Sequence, residues 1–258
     1  MKKLFLGLMI FGSGNAFSQV LSEDFESVAT PALPNGWSAT TQATNGYTGY
    51  YTGDEADASA AGYWPVTSNG SSSFAMTNDD VQNEILCDEL LISPTMDFTG
   101  LNNVQVSFLA YHDGNYGSGD ATVEGSVDGG ATWTIIETLT PLAAWESYAV
   151  SLTAYDNESS VLIGFRWNDG GDCAGMDNWG TGLAIDNVIV EEAPPFEVTM
   201  DDNSLLEYTI IPLDQLQGPI GASGIITNAG AQSVSNIFMT SNVYDTDMNL
   251  VYTQSSNV

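Results

Sequence analysis

The stretch DATVEGSVDGGATWTIIET, residues 120–138, decides the fold class of this chain. Residues 120–127 alternate between apolar or small side chains and polar ones, which is the two-residue period of a half-buried strand. Asp128, Gly129 and Gly130 follow, and residues of these types supply the positive φ angles of a tight turn. Because a second β-rich run, TWTIIET (132–138), comes next, the stretch predicts a β-hairpin over residues 120–138.

The same pattern continues on both sides of this hairpin. Short runs rich in β-branched and aromatic residues recur, separated by Gly, Asn, Asp and Ser. They are VQVSFLAY (104–111), SYAVSLT (147–153), SVLIGFRW (160–167) and LAIDNVIV (183–190). No sustained helical period is found after the N-terminus. The sequence therefore predicts an all-β chain folded as a jelly-roll β-sandwich.

The N-terminal residues 1–18 have the order of a secretory signal peptide. Lys2 and Lys3 precede an apolar run over residues 4–11, which is too short to span a bilayer. A small-x-small site ends at Ser18. The alternative is a buried N-terminal strand. We expect an exported protein, secreted or on the cell surface, whose mature chain begins at Gln19 and is not inserted in the membrane.

The charge balance limits the partners of the mature chain. The sequence has 3 Lys and Arg residues against 33 Asp and Glu residues, and loss of Lys2 and Lys3 leaves only Arg166 as a cation. Such a polyanion excludes nucleic acid and anionic membrane surfaces as partners. It suits divalent cations, although solubility in salty water also explains many of the acids.

Two residue types are scarce enough to restrict the chemistry. Cys87 and Cys173 are the only cysteines, so in an exported protein we expect one disulfide between them. His112 is the only histidine. A Ser–His–Asp triad would require it, but no nucleophile motif accompanies it, and a surface residue is the expected alternative. We therefore expect no catalytic residue in this chain.

Residues 40–82 differ from the strands around them, because they are rich in Gly, Ser, Thr and Asn and contain many aromatic residues. We expect long loops laid over the sandwich and anchored by Tyr63, Trp64 and Phe74. Exposed aromatic rings can also stack on sugars. The residues predicted to bind a ligand in this way are Tyr50, Tyr51, Trp64 and Trp179. The alternative is that these rings hold the loops against the core.

Pro194 and Pro195 mark a boundary, since consecutive prolines end strand pairing and stiffen a linker. A second β pattern follows, with about four strands, which is too few for a complete immunoglobulin-like sandwich. We expect a jelly-roll domain over residues 19–193. Residues 194–258 would form a partial Ig-like domain of a truncated chain.

Calcium ligands are hard to assign in a chain this acidic. The window 113–124 matches an EF-hand loop at three positions but has Gly117 and Ser118 where an acidic ligand and the glycine are required. Oxygen ligands can also converge from separate loops. Candidate clusters are Asp24/Glu26, Asp79/Asp80/Glu84, Asp88/Glu89, Asp169/Asp172/Asp177 and Asp186.

Several landmarks in order resemble a known family. They are LSEDFESVATPALPNGWSA (21–39), DELLISPTMDFTGLNNVQVSFLAYH (88–112), VEGSVDGGATWTIIETL (123–139), Trp145 before SYAVSLTAY (147–155), SVLIGFRWND (160–169) and GLAIDNVIVEE (182–192). This order resembles the MAM-like jelly-roll domain of Bacteroidetes surface proteins, also called the cleaved-adhesin or choice-of-anchor J domain. The resemblance covers about residues 21–192, and the tail resembles the start of an Ig-like or CARDB-like domain.

The resemblance implies that the last strand, LAIDNVIV (183–190), pairs near the first, and that a structural calcium ion lies between them. Its ligands would be Glu26 and Asp186, with Asp79, Asp80 and Asp88 as weaker candidates. It also implies a non-catalytic adhesion or binding module that recognises an extracellular glycan or protein. The alternative is an accessory domain of a larger secreted protease or polysaccharide hydrolase.

Overall fold

The computed structural model describes residues 18–42, 46–82, 88–112, 120–169, 180–194, 198–205, 222–228, 230, 233–235, 237–244 and 249–257. The chain divides into two compact units, and one of them comprises Phe17–Ala193. The predicted signal peptide up to residue 17, both cysteines and Trp179 lie outside the described residues. The disulfide therefore stays a prediction.

The described residues of the first unit form eleven strands. They are β1 Gln19–Glu23, β2 Ser38–Thr40, β3 Tyr51–Gly53, β4 Phe74–Asn78, β5 Glu89–Ile92, β6 Val104–His112, β7 Asp120–Ser126, β8 Thr134–Leu139, β9 Leu142–Ser151, β10 Leu162–Asn168 and β11 Gly182–Glu192. Two four-residue helices, α1 Glu55–Ala58 and α2 Asp79–Gln82, lie in the loops, with a 3-10 turn at Thr153–Tyr155. These helices are too short to show a helical period in the sequence.

The strands form two antiparallel sheets, as the alternation in the sequence predicts. The six-stranded sheet has the order β3-β4-β11-β6-β9, and β1 also pairs with β11. The five-stranded sheet has the order β2-β5-β10-β7-β8. Pairing of the first strand with the last places the two termini of this unit side by side. The all-β sandwich prediction is confirmed.

The hairpin that decides the fold class forms at the predicted place. β7 and β8 pair antiparallel, and Gly129 and Gly130 have φ angles of 75° and 86°. The Asp128 carboxylate accepts hydrogen bonds from the backbone N–H and the hydroxyl of Thr132 at 2.9 and 2.6 Å. These bonds lower the pKa of Asp128 to about 2 and close the turn.

One large apolar cluster fills the space between the two sheets. Val106 and Phe108 of β6 face Leu91 of β5 and Phe165 of β10 across it, and all four are at most 2% exposed. The inward positions alternate along each strand, so the two-residue period seen in the sequence identifies these core residues. Burial of this many large side chains supplies the main stabilising free energy of the unit.

A second apolar cluster lies on the outer face of the six-stranded sheet. Trp64, with no exposed surface, packs there against Phe74 and Met76 of β4 and Tyr111 of β6. The loop between β3 and β4 therefore covers this face, as predicted, with Trp64 and Phe74 as its anchors. Tyr63 is 60% exposed and does not anchor the loop.

The second unit contains two antiparallel strand pairs within its described residues. β12 Val198–Leu205 pairs with β13 Ala222–Asn228, and β14 Phe238–Tyr244 pairs with β15 Leu250–Asn257. Two separate pairs do not define an immunoglobulin sandwich, so the Ig-like assignment stays a prediction. In the described part of the chain, no helix is long and apolar enough to cross a membrane.

Candidate functional site: a tyrosine cavity and two groups of buried carboxylates

β11, the last strand of the unit, pairs with two strands in succession along its length. β4 pairs with Gly182–Ile185 and β1 pairs with Val188–Glu191. Asp186 and Asn187 lie between these two pairings, where the register with β6 is also interrupted. Asn187 has a φ of 51°, and such irregular positions turn a side chain away from the ladder. The predicted pairing of the first and last strands is confirmed.

Glu26 and Asp186 are both held by the loop over residues 69–73. Glu26 Oε1 accepts the backbone N–H groups of Ser72 and Ser73 at 2.6 and 3.0 Å, and its other oxygen accepts the Ser72 hydroxyl. Asp186 has no exposed surface and accepts the side-chain amide of Asn69 at 2.6 Å. One short loop therefore connects the two carboxylates, and we call this place the seam.

The two charges at the seam act on one another. Burial raises the pKa of Asp186, hydrogen bonds from Ser71 and Asn69 oppose the shift, and the charge of Glu26 adds to it. Two carboxylates with an amide oxygen nearby form a donor set of the kind that calcium prefers. Among the described residues, however, no three Asp, Glu, His or Cys side chains form a metal-binding group. A cation at the seam would need backbone carbonyls or water to complete its shell.

The structure does not bring the three weaker candidates to the seam. Asp79 lies at the other end of β4 from Ser73, a separation of about 20 Å at the rise of an extended strand, and Asp80 follows it in α2. Asp88 precedes β5 in the other sheet, where it pairs with Arg166 and accepts the side-chain amide of Gln42. The expectation that these residues join Glu26 and Asp186 is corrected.

A cavity of about 740 Å³ opens among the loops that follow β1, β2 and β3. The rings of Tyr47 and Tyr51 line it at right angles, with centroids 6.5 Å apart, and Asp57 and Val81 form part of the wall. Asp57 is fixed at the start of α1, where its carboxylate accepts the backbone N–H of Asp54 at 3.2 Å. The cavity therefore presents aromatic surface and one carboxylate on an anchored loop.

The tyrosine hydroxyls of the cavity stay protonated near neutral pH. Burial, with the charge of Asp57, raises the pKa of Tyr51 to about 12. Burial also raises the pKa of Tyr47, whose hydroxyl lies 3.0 Å from that of Thr77. Neutral phenols can donate and accept hydrogen bonds, so these rings offer both an apolar face and a polar edge.

The predicted ligand-binding aromatics differ in exposure. Tyr51 lines the cavity and is half-buried, as a binding residue requires. Tyr50 also borders the cavity but is only 2% exposed, and Trp64 is fully buried, so the expectation that these two rings offer free faces is corrected in favour of the anchoring alternative. Trp179 lies outside the described residues. Asp57 was missed, because one carboxylate among 33 acids gives no signal.

His112 is buried at the end of β6, with 4% of its surface exposed. The expectation of a surface histidine is therefore corrected. Its position opposite Leu142 of β9 makes it part of the sheet rather than of a loop.

The five-stranded sheet contains two further buried carboxylates. Glu124 of β7, 4% exposed, accepts two hydrogen bonds from Arg166 of β10, at 2.8 and 2.9 Å. Glu89 of β5 has no exposed surface and accepts the hydroxyl of Thr41. Burial raises the pKa of Glu89 to about 7, and the charge of Asp169 adds to the shift, whereas the hydrogen bond from Thr41 opposes it.

No model of a known protein family matches the chain, and no curated protein matches it. Among solved structures it is similar to the K1 cleaved adhesin domain of Lys-gingipain from Porphyromonas gingivalis, at 19% identity and a TM-score of 0.47, over 67% of this chain and 98% of that one. The K2 domain of Lys-gingipain gives the same identity and score over 66% and 98%.

The CBM22-1 xylan-binding domain of Paenibacillus barcinonensis Xyn10C is also similar, at 12% identity and a TM-score of 0.42, over 69% of this chain and 97% of that one. These are likenesses of fold, and the sandwich assignment itself comes from the two sheets of the first unit.

Proposed function

We propose that this chain is an exported, non-catalytic binding module that recognises an extracellular glycan through the cavity of Tyr47 and Tyr51. One observation carries the proposal: a cavity of about 740 Å³ has two perpendicular tyrosine rings and a carboxylate in its wall. This volume lies within the range of small-ligand sites, about 300–1,000 Å³. It suits a few sugar units better than the broad, flat contact of a protein partner.

The chemistry of the wall favours a neutral sugar. Tyrosine faces pack against the C–H groups of a sugar ring, while phenol hydroxyls and Asp57 exchange hydrogen bonds with sugar hydroxyls. An anionic sugar would meet Asp57 and the formal net charge of −30 on the whole chain. A protein ligand remains the second outcome of the binding test.

Binding to an array of neutral and acidic oligosaccharides tests this function. We expect the full chain to bind neutral sugars, and Tyr51→Ala to weaken binding about tenfold, since the stacking face is lost. Tyr63→Ala is the matched control, because Tyr63 is 60% exposed and does not line the cavity. Absence of binding to every sugar, or equal binding by wild type and Tyr51→Ala, would overturn the proposal.

We also propose that a calcium ion at the seam supports the binding module. Glu26 and Asp186 would hold it, and the ion would supply positive charge to two carboxylates that otherwise repel each other. Its effect would be to fix the loop over residues 69–73, which contacts both carboxylates. A fixed loop keeps the cover of the six-stranded sheet in place.

Thermal unfolding in chelator and in calcium tests the seam. We expect calcium to raise the midpoint, by the equivalent of about 2.7 kcal/mol at one hundred times its Kd. Glu26→Gln should remove much of this increment, whereas Glu137→Gln, on an exposed position of the edge strand β8, should retain it. An equal calcium increment in wild type and Glu26→Gln would contradict this assignment.

A further inference from the structure

Glu89 and Asp169 are fully buried carboxylates from two neighbouring strands. Glu89 of β5 lies opposite Trp167 of β10, and Asp169 follows two residues after Trp167. Diagonal neighbours of this kind in an antiparallel pair lie about 7–8 Å apart. At this separation, the side chains of Glu89 and Asp169 can direct both carboxylates to a common point. Glu89 and Asp169 come from two different acidic clusters of the sequence, and their spacing along the chain does not reveal that these two residues are neighbours.

The hydrogen bonds of Glu89 are incomplete. Its Oε1 accepts the Thr41 hydroxyl, but Oε2, which is buried, accepts no hydrogen bond. Tyr50 is 2% exposed, and its hydroxyl is also buried without a hydrogen-bond partner. Burial raises the pKa of Tyr50, and the charge of Glu89 adds to the shift. A buried carboxylate oxygen and a buried hydroxyl each require a partner such as a water molecule or an ion.

No cationic side chain is left to compensate the charge of Glu89 in the described part of the unit. The Nε and one terminal nitrogen of Arg166 bond to Glu124, and its other terminal nitrogen pairs with Asp88. An isolated buried carboxylate is costly, and a second one beside it raises the cost. A water molecule would complete the hydrogen bonds but would leave the charge.

We propose that Glu89 and Asp169 form a second cation site, which binds calcium or a similar divalent cation with oxygen ligands. The two carboxylates supply the charged ligands, and the hydroxyls of Thr41 and Tyr50 supply further oxygens or contact water ligands of the ion. The site is separate from the seam. Tyr47, in the cavity wall that this site supports, has its hydroxyl near that of Thr77, towards the end of β4. At the seam, Glu26 accepts the N–H of Ser73, which lies before the start of β4.

The bound cation would also position the cavity. Thr41 and Gln42 are held by Glu89 and Asp88, and the chain then continues to Gly46 and Tyr47 in the cavity wall. A cation that fixes Glu89 therefore fixes one end of the segment that carries these wall residues. This consequence rests on the proposed function, but binding of the ion itself does not.

Terbium luminescence tests the site directly, because this ion replaces calcium and takes up energy from a nearby indole. We expect terbium to give emission sensitised by Trp167, and calcium to compete with it. Glu89→Gln and Asp169→Asn should each lose this emission and one bound ion. Glu26→Gln should retain the emission and the ion bound by Glu89. Trp167→Phe should retain this ion but lose the part of the emission that Trp167 sensitises.

Folding is checked on the same variants in chelator. Glu89→Gln should fold at least as well as wild type, because the substitution keeps the shape and removes a buried charge. A folded Glu89→Gln variant that binds as many terbium ions as wild type, with the same affinity, would overturn the inference. The same result for Asp169→Asn would overturn it independently. Wild type that binds no ion beyond the one lost in Glu26→Gln would overturn it as well.

Discussion

Glu124 and Glu89 are two buried carboxylates on the two strands that flank β10, and they differ in their hydrogen-bond and charge partners. Glu124 receives two hydrogen bonds from Arg166, which gives it a charge partner and correct geometry. Glu89 receives one hydrogen bond from Thr41 and lies near Asp169. The same chemical group, in the same sheet, thus has a cationic partner in one place and none among the described side chains in the other.

The difference follows from the composition of the chain. Arg166 is the only cation outside the first three residues, whereas the sequence has 33 acids. The single guanidinium contacts Glu124 and Asp88, and among the described residues it forms no ion pair with a third carboxylate. In such a chain, every other buried carboxylate must take a proton, collect neutral donors or bind an ion from solution. Glu89 is the clearest example of this requirement.

Removal of the single guanidinium should give the largest effect. Arg166→Met leaves Glu124 buried without its partner, and the loss of a buried pair costs about 3–5 kcal/mol. Because the Arg166 side chain is 23% exposed, we expect about 3 kcal/mol in urea unfolding.

Adding Glu124→Gln to Arg166→Met should recover part of this loss, since the stranded charge is then gone. Glu137→Gln serves as the control and should change stability by less than about 0.5 kcal/mol. A loss below that value for Arg166→Met would show that the pair contributes little, and the contrast with Glu89 would disappear.

Neutralising each of the two carboxylates should have opposite effects. In chelator, Glu124→Gln should destabilise the unit by about 1.5–3 kcal/mol, because two charge-assisted hydrogen bonds are weakened. Glu89→Gln should stabilise it by about 1 kcal/mol, because a repelled buried charge is removed. Parallel urea titrations measure both values. Destabilisation by both substitutions to the same extent would refute the comparison.

Asp128 is a third case, an exposed carboxylate stabilised by neutral donors, and it should give the smallest effect. Its pKa is lowered to about 2 by the hydrogen bonds from Thr132, with a further one from Ser126. A lowered pKa in the folded state means that the contribution is present above the ordinary value of 3.8 and is lost as the pH falls towards 2.

The free energy of unfolding of wild type should therefore exceed that of Asp128→Asn by a small and constant amount above pH 4. The gap should close between pH 4 and pH 2. Urea titrations at several pH values measure it. A gap that is unchanged at pH 2 would show that the carboxylate charge does not hold the turn.

Sequence periodicity predicted the fold better than it predicted the sites. The alternation over residues 120–127 identifies the inward face of β7, and the family resemblance implied the pairing of β1 with β11. The period of two cannot tell whether an outward face meets water or a covering loop. Trp64 and Tyr50 were therefore predicted as ligand-binding rings, with anchoring of the loops as the alternative, and their burial favours anchoring.

The carboxylate groups show the same limit. The pairing of β1 with β11, which was predicted, brings Glu26 to the neighbourhood of Asp186. Proximity of Glu89 and Asp169 depends instead on the register between β5 and β10, which no local pattern specifies. Asp88 was expected at a metal site, but it forms an ion pair with Arg166 instead. In a chain with 33 acids, only the fold decides which carboxylates converge.

The central claim is that carboxylates at two places in this polyanionic domain, the seam and the Glu89–Asp169 pair, bind cations from solution. Native mass spectrometry of the full chain in calcium, with Glu26→Gln and Glu89→Gln beside it, tests this most directly. The account predicts two tightly bound calcium ions in wild type and one in each variant. Wild type that carries no tightly bound calcium, while remaining folded, would contradict it.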